Sequence, residues 1–111
     1  MESKRQQRIS RLLQKDLGEI FQHEVRNLSK GAMITVTKVN VTSDLAISRV
    51  YLSIFGTEEK LALLEKIRDH KNEIKYKLGN RIRHQLRGVP ELEFYEDDSL
   101  DYIENIDSLL K

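Results

Sequence analysis

Over residues 4–27 the apolar side chains Ile9, Leu12, Leu13, Leu17, Ile20, Phe21 and Val25 recur every three or four positions. That spacing marks one face of an α-helix and predicts a first helix with this stripe on a core. Leu28-Ser29-Lys30-Gly31 ends it, because Gly31 can take the positive φ that follows a helix terminus. Met33-Ile34-Thr35-Val36-Thr37-Lys38-Val39-Asn40-Val41 is rich in β-branched residues and reads as a strand. Its inward set shifts from Ile34 and Val36 to Val39 and Val41, so a bulge is expected near Thr37-Lys38. After a turn at Thr42-Ser43-Asp44-Leu45, residues 46–55 form a second strand, with Val50, Leu52 and Ile54 on one face and Arg49, Tyr51, Ser53 and Phe55 on the other. So short a connection predicts an antiparallel hairpin, which Gly56 ends.

Thr57 offers an N-cap and Glu58-Glu59 suit the positive end of a helix, so a helix is expected from residue 58. Its apolar positions run Leu61, Leu64, Ile67 and resume at Ile74, Leu78, Ile82, Leu86. An unbroken helix over residues 58–86 measures about 43 Å, against a diameter near 34 Å for a domain of this length. A break is therefore predicted between Ile67 and Ile74, at Asn72, which tolerates left-handed geometry best. Gly79 is the competing site. Pro90 stops the second helix. Leu92 and Phe94 alternate with Glu91, Glu93 and Tyr95 as a third strand, and Asp97-Asp98-Ser99 caps a short last helix carrying Leu100, Ile103, Ile106 and Leu110. The predicted order is α-β-β-α-α-β with a final helical turn or two.

Charge changes this picture. The formal net charge is only +1, yet residues 66–90 hold eight Lys/Arg against two acids, and the acidic side chains crowd into the C-terminal segment, 96–111 in particular. On a wheel with Ile74 at zero, Leu78, Ile82 and Leu86 fall at about 40–120°, while Lys77, Arg81, Arg83, His84 and Arg87 fall at about 180–340°. Lys71 and Lys75 lie at the apolar edge, where their stems cover the core. A solvent-facing helix usually mixes both signs. This one scarcely does, and Lys4, Arg5, Arg8, Arg11 and Lys15 open the chain as a second cluster at a helix start, where cations are disfavoured. Both clusters point to an anionic partner.

Other chemistries find little support. His23, His70 and His84 lack paired spacing and there is no cysteine, so no metal site or disulfide is expected. No glycine-rich phosphate loop or nucleophile elbow is present, and the acidic pairs sit where helix caps use them, so no catalytic residue or cofactor is expected. Tyr51, Phe55 and Tyr95 could stack on bases, although partial burial is the favoured reading. No apolar run approaches the roughly 20 residues of a membrane span. A single cytoplasmic domain over residues 1–111 is expected.

Taken together, Ile34-Thr35-Val36-Thr37-Lys38-Val39-Asn40-Val41-Thr42-Ser43-Asp44-Leu45, Val50-Tyr51-Leu52-Ser53, Leu78-Gly79-Asn80-Arg81-Ile82-Arg83, Val89-Pro90-Glu91-Leu92-Glu93-Phe94 and Asp98-Ser99-Leu100 resemble the ribosome-binding factor A family over nearly the whole chain. The resemblance implies an α+β, type II KH-like domain in which a kinked helix pair packs on a three-stranded sheet. It also implies late maturation of the small ribosomal subunit through its ribosomal RNA, rRNA processing and cold adaptation. KH domains grip nucleic acid with a GxxG loop between two helices. This chain has none; the family's Ala-x-Gly kink corresponds to His70-Lys71-Asn72. The expected phosphate-neutralising residues are Lys4, Arg5, Arg8, Arg11, Lys71, Lys75, Lys77, Arg81, Arg83 and Arg87, acting in a monomer without metal or cofactor. The alternative is a protein-interaction or dimerisation module whose basic surface meets an acidic partner.

Overall fold

The computed structural model describes residues 2–29 and 31–97. Helix α1 (Lys4–Glu19) leads into a five-residue π-helical turn (Ile20–Glu24) and a single turn α2 (Arg26–Ser29). Strands β1 (Met33–Val41) and β2 (Ile47–Phe55) follow, then helices α3 (Lys60–Asp69) and α4 (Lys71–Ile82), and strand β3 (Glu91–Glu96). The predicted last helix lies outside the described residues.

The predicted stripe is the buried one, with Ile9, Leu13, Leu17, Ile20, Phe21 and Val25 in the core and Leu12 only partly buried against it. The first helix is nevertheless not continuous over residues 4–27. Val25 N–H reaches back to the Ile20 carbonyl (3.1 Å), and this wider loop keeps Phe21 and Val25 on the core side before the chain turns away. Gly31 takes φ 92°.

β1 and β2 pair antiparallel, and the register slips between Val36 and Lys38 as the apolar phase slip predicts. The bulged Thr37 hydroxyl lies 2.5 Å from Asp97 Oδ2, to which it donates. β3 runs parallel to β2 on its other side, so β2 is the central strand. Ile34, Val36, Val39, Val41, Val50, Leu52, Ile54, Leu92 and Phe94 form one cluster with the helices.

The helix pair departs from expectation in four places. α3 starts at Lys60, because Thr57 Oγ1 accepts the Glu59 N–H (3.1 Å) in a local turn instead of capping a helix from residue 58. Leu61 is 71% exposed; Leu63, Leu64 and Ile67 share an arc of about 100° and are buried instead. The break is at His70 (φ −98°, ψ 16°), and Asn72 is an ordinary helical residue. His70 closes one helix and starts the next. Its N–H bonds the Lys66 and Ile67 carbonyls (3.2 and 3.1 Å), its ring Nδ1 donates to Lys66 O (2.8 Å), and its own carbonyl accepts from Ile74 N (3.0 Å). Finally, α4 ends at Ile82, well before Pro90, so that the connector can bring Glu91 N–H to the Ala46 carbonyl (2.8 Å) and start β3. Gly79 does not kink the helix: a Cβ there would stand 3.4 Å from Val89 Cγ2, where the returning connector passes over it.

Candidate nucleic-acid interface

The first turn of α1 is held by its cap. Ser3 Oγ accepts from Gln6 N (3.1 Å) and Gln6 Oε1 accepts from Ser3 N (2.8 Å), a reciprocal capping box. Gln6 Nε2 also donates to Val41 O (3.0 Å), which seats the start of α1 beside the β1–β2 turn. Lys4, Arg5, Arg8 and Arg11 project from this anchored segment, exposed and without a carboxylate partner among the described residues.

The cations of α4 divide. Lys71 and Lys75 both grip Glu91 (2.8 and 3.1 Å), and the hydrogen bonds from Lys71 and then Lys75 hold the Glu91 carboxyl below its ordinary pKa. Arg81 turns back to α1 and the π turn, meeting Asp16 (3.1 Å), Glu24 (3.6 Å) and Glu19. With a 30% exposed side chain and Asp16 only 13% exposed, Arg81 straps α4 to α1. Lys77, Arg83 and Arg87 have no such partner among the described residues. The wheel separates cationic from apolar faces, but only the packed structure separates engaged cations from free ones.

The expected surface is thus unequal along its length. At the α3–α4 junction Arg68 spends its guanidinium on the Phe94 carbonyl (3.1 and 2.6 Å) and on Glu65 (2.7 Å). At the far end of α4, Arg87 and Arg5 line one groove of about 470 Å³ between α1, the β1–β2 turn and the residue 85–90 connector. Gln6 and Leu45, which help to build this end, escape the sequence reading. The Ser3-x-x-Gln6 spacing is a capping-box signal for the first; nothing local announces the second.

On the sheet face away from the helices, Tyr51 and Tyr95 stack with centroids 5.5 Å apart, and Lys38 Nζ lies 5.8 Å from the Tyr51 ring. Lys60 Nζ stands 5.8 Å from the Phe55 ring. Tyr51 and Phe55 are thus half-buried, as expected, whereas Tyr95 is exposed (37%) and covered on one face by Tyr51 alone. Tyr95 donates to Glu93 (2.8 Å), which raises its pKa. Among the described residues no group of three or more His, Cys, Asp or Glu is placed to hold a metal, and no helix is long and apolar enough to cross a membrane.

Comparison with known proteins gives a consistent result. The family model described as ribosome-binding factor A matches residues 5–110. The chain is similar to ribosome-binding factor A of Flavobacterium johnsoniae, at 51% identity over 99% of this chain and 85% of that protein. Among solved structures it resembles the crystal structure of ribosome-binding factor A from Thermus thermophilus (TM-score 0.66, 25% identity, 82% of this chain and 94% of that one). It also resembles a Thermus thermophilus ribosome binding factor A homology model fitted into a cryo-EM map of a 30S–RbfA complex (TM-score 0.62, 27% identity, 78% and 89% of the two chains).

Proposed function

Since this chain belongs to the ribosome-binding factor A family, we propose that it binds the immature small ribosomal subunit through ribosomal RNA during late maturation and rRNA processing. It acts in the cytoplasm as a monomer and matters most in the cold. The family is one of ribosome-binding factors, not of enzymes. One observation carries the reading: Lys4, Arg5, Arg8 and Arg11 on α1, with Lys77, Arg83 and Arg87 on and after α4, are cations that no carboxylate of the described residues neutralises. Such a set binds phosphates and releases counterions, whereas Lys71, Lys75 and Arg81 contribute less because they already have partners. If about six phosphates are engaged, log affinity for the small-subunit RNA falls with log salt at a slope of about −4 to −5. Co-sedimentation with immature small subunits across a salt series tests this, and a flat response or no co-sedimentation removes the reading.

A further inference from the structure

The groove that Arg5 and Arg87 share has a shape that plain charge neutralisation does not need. At about 470 Å³ it lies within the range of small-ligand clefts. Ile9, Leu45, Leu86, Val89 and Pro90 give it an apolar side, and Arg5, Arg87 and Gln85 stand among its polar lining residues. From this combination we infer that the groove takes one unpaired nucleotide of an RNA strand, its base on the apolar side and its phosphate against Arg5 and Arg87. The inference rests on the RNA-binding reading and narrows it to a site and a strand state.

Three observations point the same way. Arg5 and Arg87 are free of carboxylates among the described residues, whereas Arg68 and Arg81, the arginines elsewhere on the helix pair's packed sides, are engaged internally. In the connector, the N–H groups of Arg87, Gly88 and Val89 find no acceptor among the described residues, and a Cβ on Gly88 would meet nothing within 4 Å. These amides stand open on a largely exposed stretch of chain beside the Arg87 guanidinium. Third, Leu45 is the one non-glycine residue with positive φ among those described (61°).

A left-handed leucine is strained where Asn or Gly would not be. The hairpin calls for a left-handed residue at this position, but not for leucine. Backbone and polar groups close it whatever the side chain: Leu45 N bonds Thr42 O (2.9 Å), Thr42 Oγ1 donates to Asp44 Oδ1 (2.7 Å), and Ala46 N donates to the same oxygen (3.1 Å). What leucine adds is a side chain that packs against the edge of the core and gives the groove an apolar wall. A base can use that wall only when unstacked from its neighbours, because a duplex presents its sugar-phosphate edge and keeps its π-faces covered. The groove should therefore discriminate single-stranded from duplex RNA, while Lys4, Arg8, Arg11, Lys77 and Arg83 serve both.

Fluorescence anisotropy on the full chain, with a labelled single strand of roughly 12 nucleotides and the duplex containing it, tests this at a fixed salt of about 50 mM. Leu45→Gly should still fold, because relief of the left-handed strain offsets part of the lost contact with the core, and should weaken the single strand about fivefold while leaving the duplex nearly unchanged. The double variant R5Q/R87Q should weaken the single strand about tenfold more than the duplex, and Arg11→Gln should weaken both alike. If Leu45→Gly fails to fold, Leu45→Asn, which also tolerates the left-handed backbone, makes the same comparison. Equal losses for both RNAs in the Leu45 and double variants overturn the groove and leave RNA binding standing. Displacement of the single strand by polyglutamate at equal charge reduces the site to a general polyanion surface and also overturns it. Failure of the unmodified protein to bind either RNA overturns groove and function together.

Discussion

A lysine adds to an anion-binding surface only when no carboxylate of its own fold competes for it. Lys75 and Arg83 stand on the same helical segment of sequence, but Lys75 is tied to Glu91 at 3.1 Å and Arg83 to nothing among the described residues. Arg83→Ala should therefore reduce the magnitude of the salt slope by about 0.7–0.9, the value for one phosphate contact, and Lys75→Ala by clearly less. Equal reductions in the two titrations would contradict the division. Glu91 itself should titrate below the ordinary glutamate pKa of about 4.3, because Lys71 and Lys75 both donate to it. A depressed carboxylate stabilises the fold above its unfolded pKa, and that contribution disappears as pH falls through the folded value. NMR titration of the side chain should place its midpoint closer to the ordinary value in Lys71→Ala. The two clusters of cations were legible in the sequence, but their engagement was not. Glu91 reads there as a strand residue after Pro90, and the contact with Lys75 spans 16 positions.

Helices α1 and α4 each contain an interior glycine, and their surroundings differ. A Cβ on Gly18 would meet nothing within 4 Å, whereas one on Gly79 would stand 3.4 Å from Val89 Cγ2. Gly18→Ala should stabilise the protein by about 1 kcal/mol and Gly79→Ala by about half that, since the Val89 methyl must give way. Urea unfolding gives both values. Between the same two helices, Arg81→Met should cost about 1–2 kcal/mol by leaving the sparsely exposed Asp16 without its donor. Its effect on RNA affinity should be smaller than that of Arg83→Ala. The break in the helix pair was predictable in place to within two residues, though for an insufficient reason. The molecule extends 49 Å along its longest axis, so an unbroken helix of about 43 Å would fit. The pair divides because α3 packs on α2 and β3 while α4 packs on α1 and β3, and His70 can cap both segments at once.

Across the whole molecule, the proposed monomer should sediment as a single species at all concentrations once nuclease-treated. Concentration-dependent self-association without RNA would instead favour the alternative of a protein-interaction module. Charge is distributed unevenly along the chain, with +8 over residues 1–90 and −7 over residues 91–111. Pairing of Glu91 with Lys71 and Lys75 already brings one acid from the second part against the first. The order of helices and strands, the buried stripe of α1 and the bulge in β1 were determined by the sequence itself, because each depends on periodicity among residues a few positions apart. The start of α3, the seat of its break and the end of α4 came from packing against distant elements, which local pattern does not encode. Which cations remain free, and that Arg5 and Arg87 share one groove, were likewise decided only by the tertiary structure. Ion pairs such as Arg81 with Asp16 join positions far apart in sequence, and folding alone determines which side chains they remove from the surface.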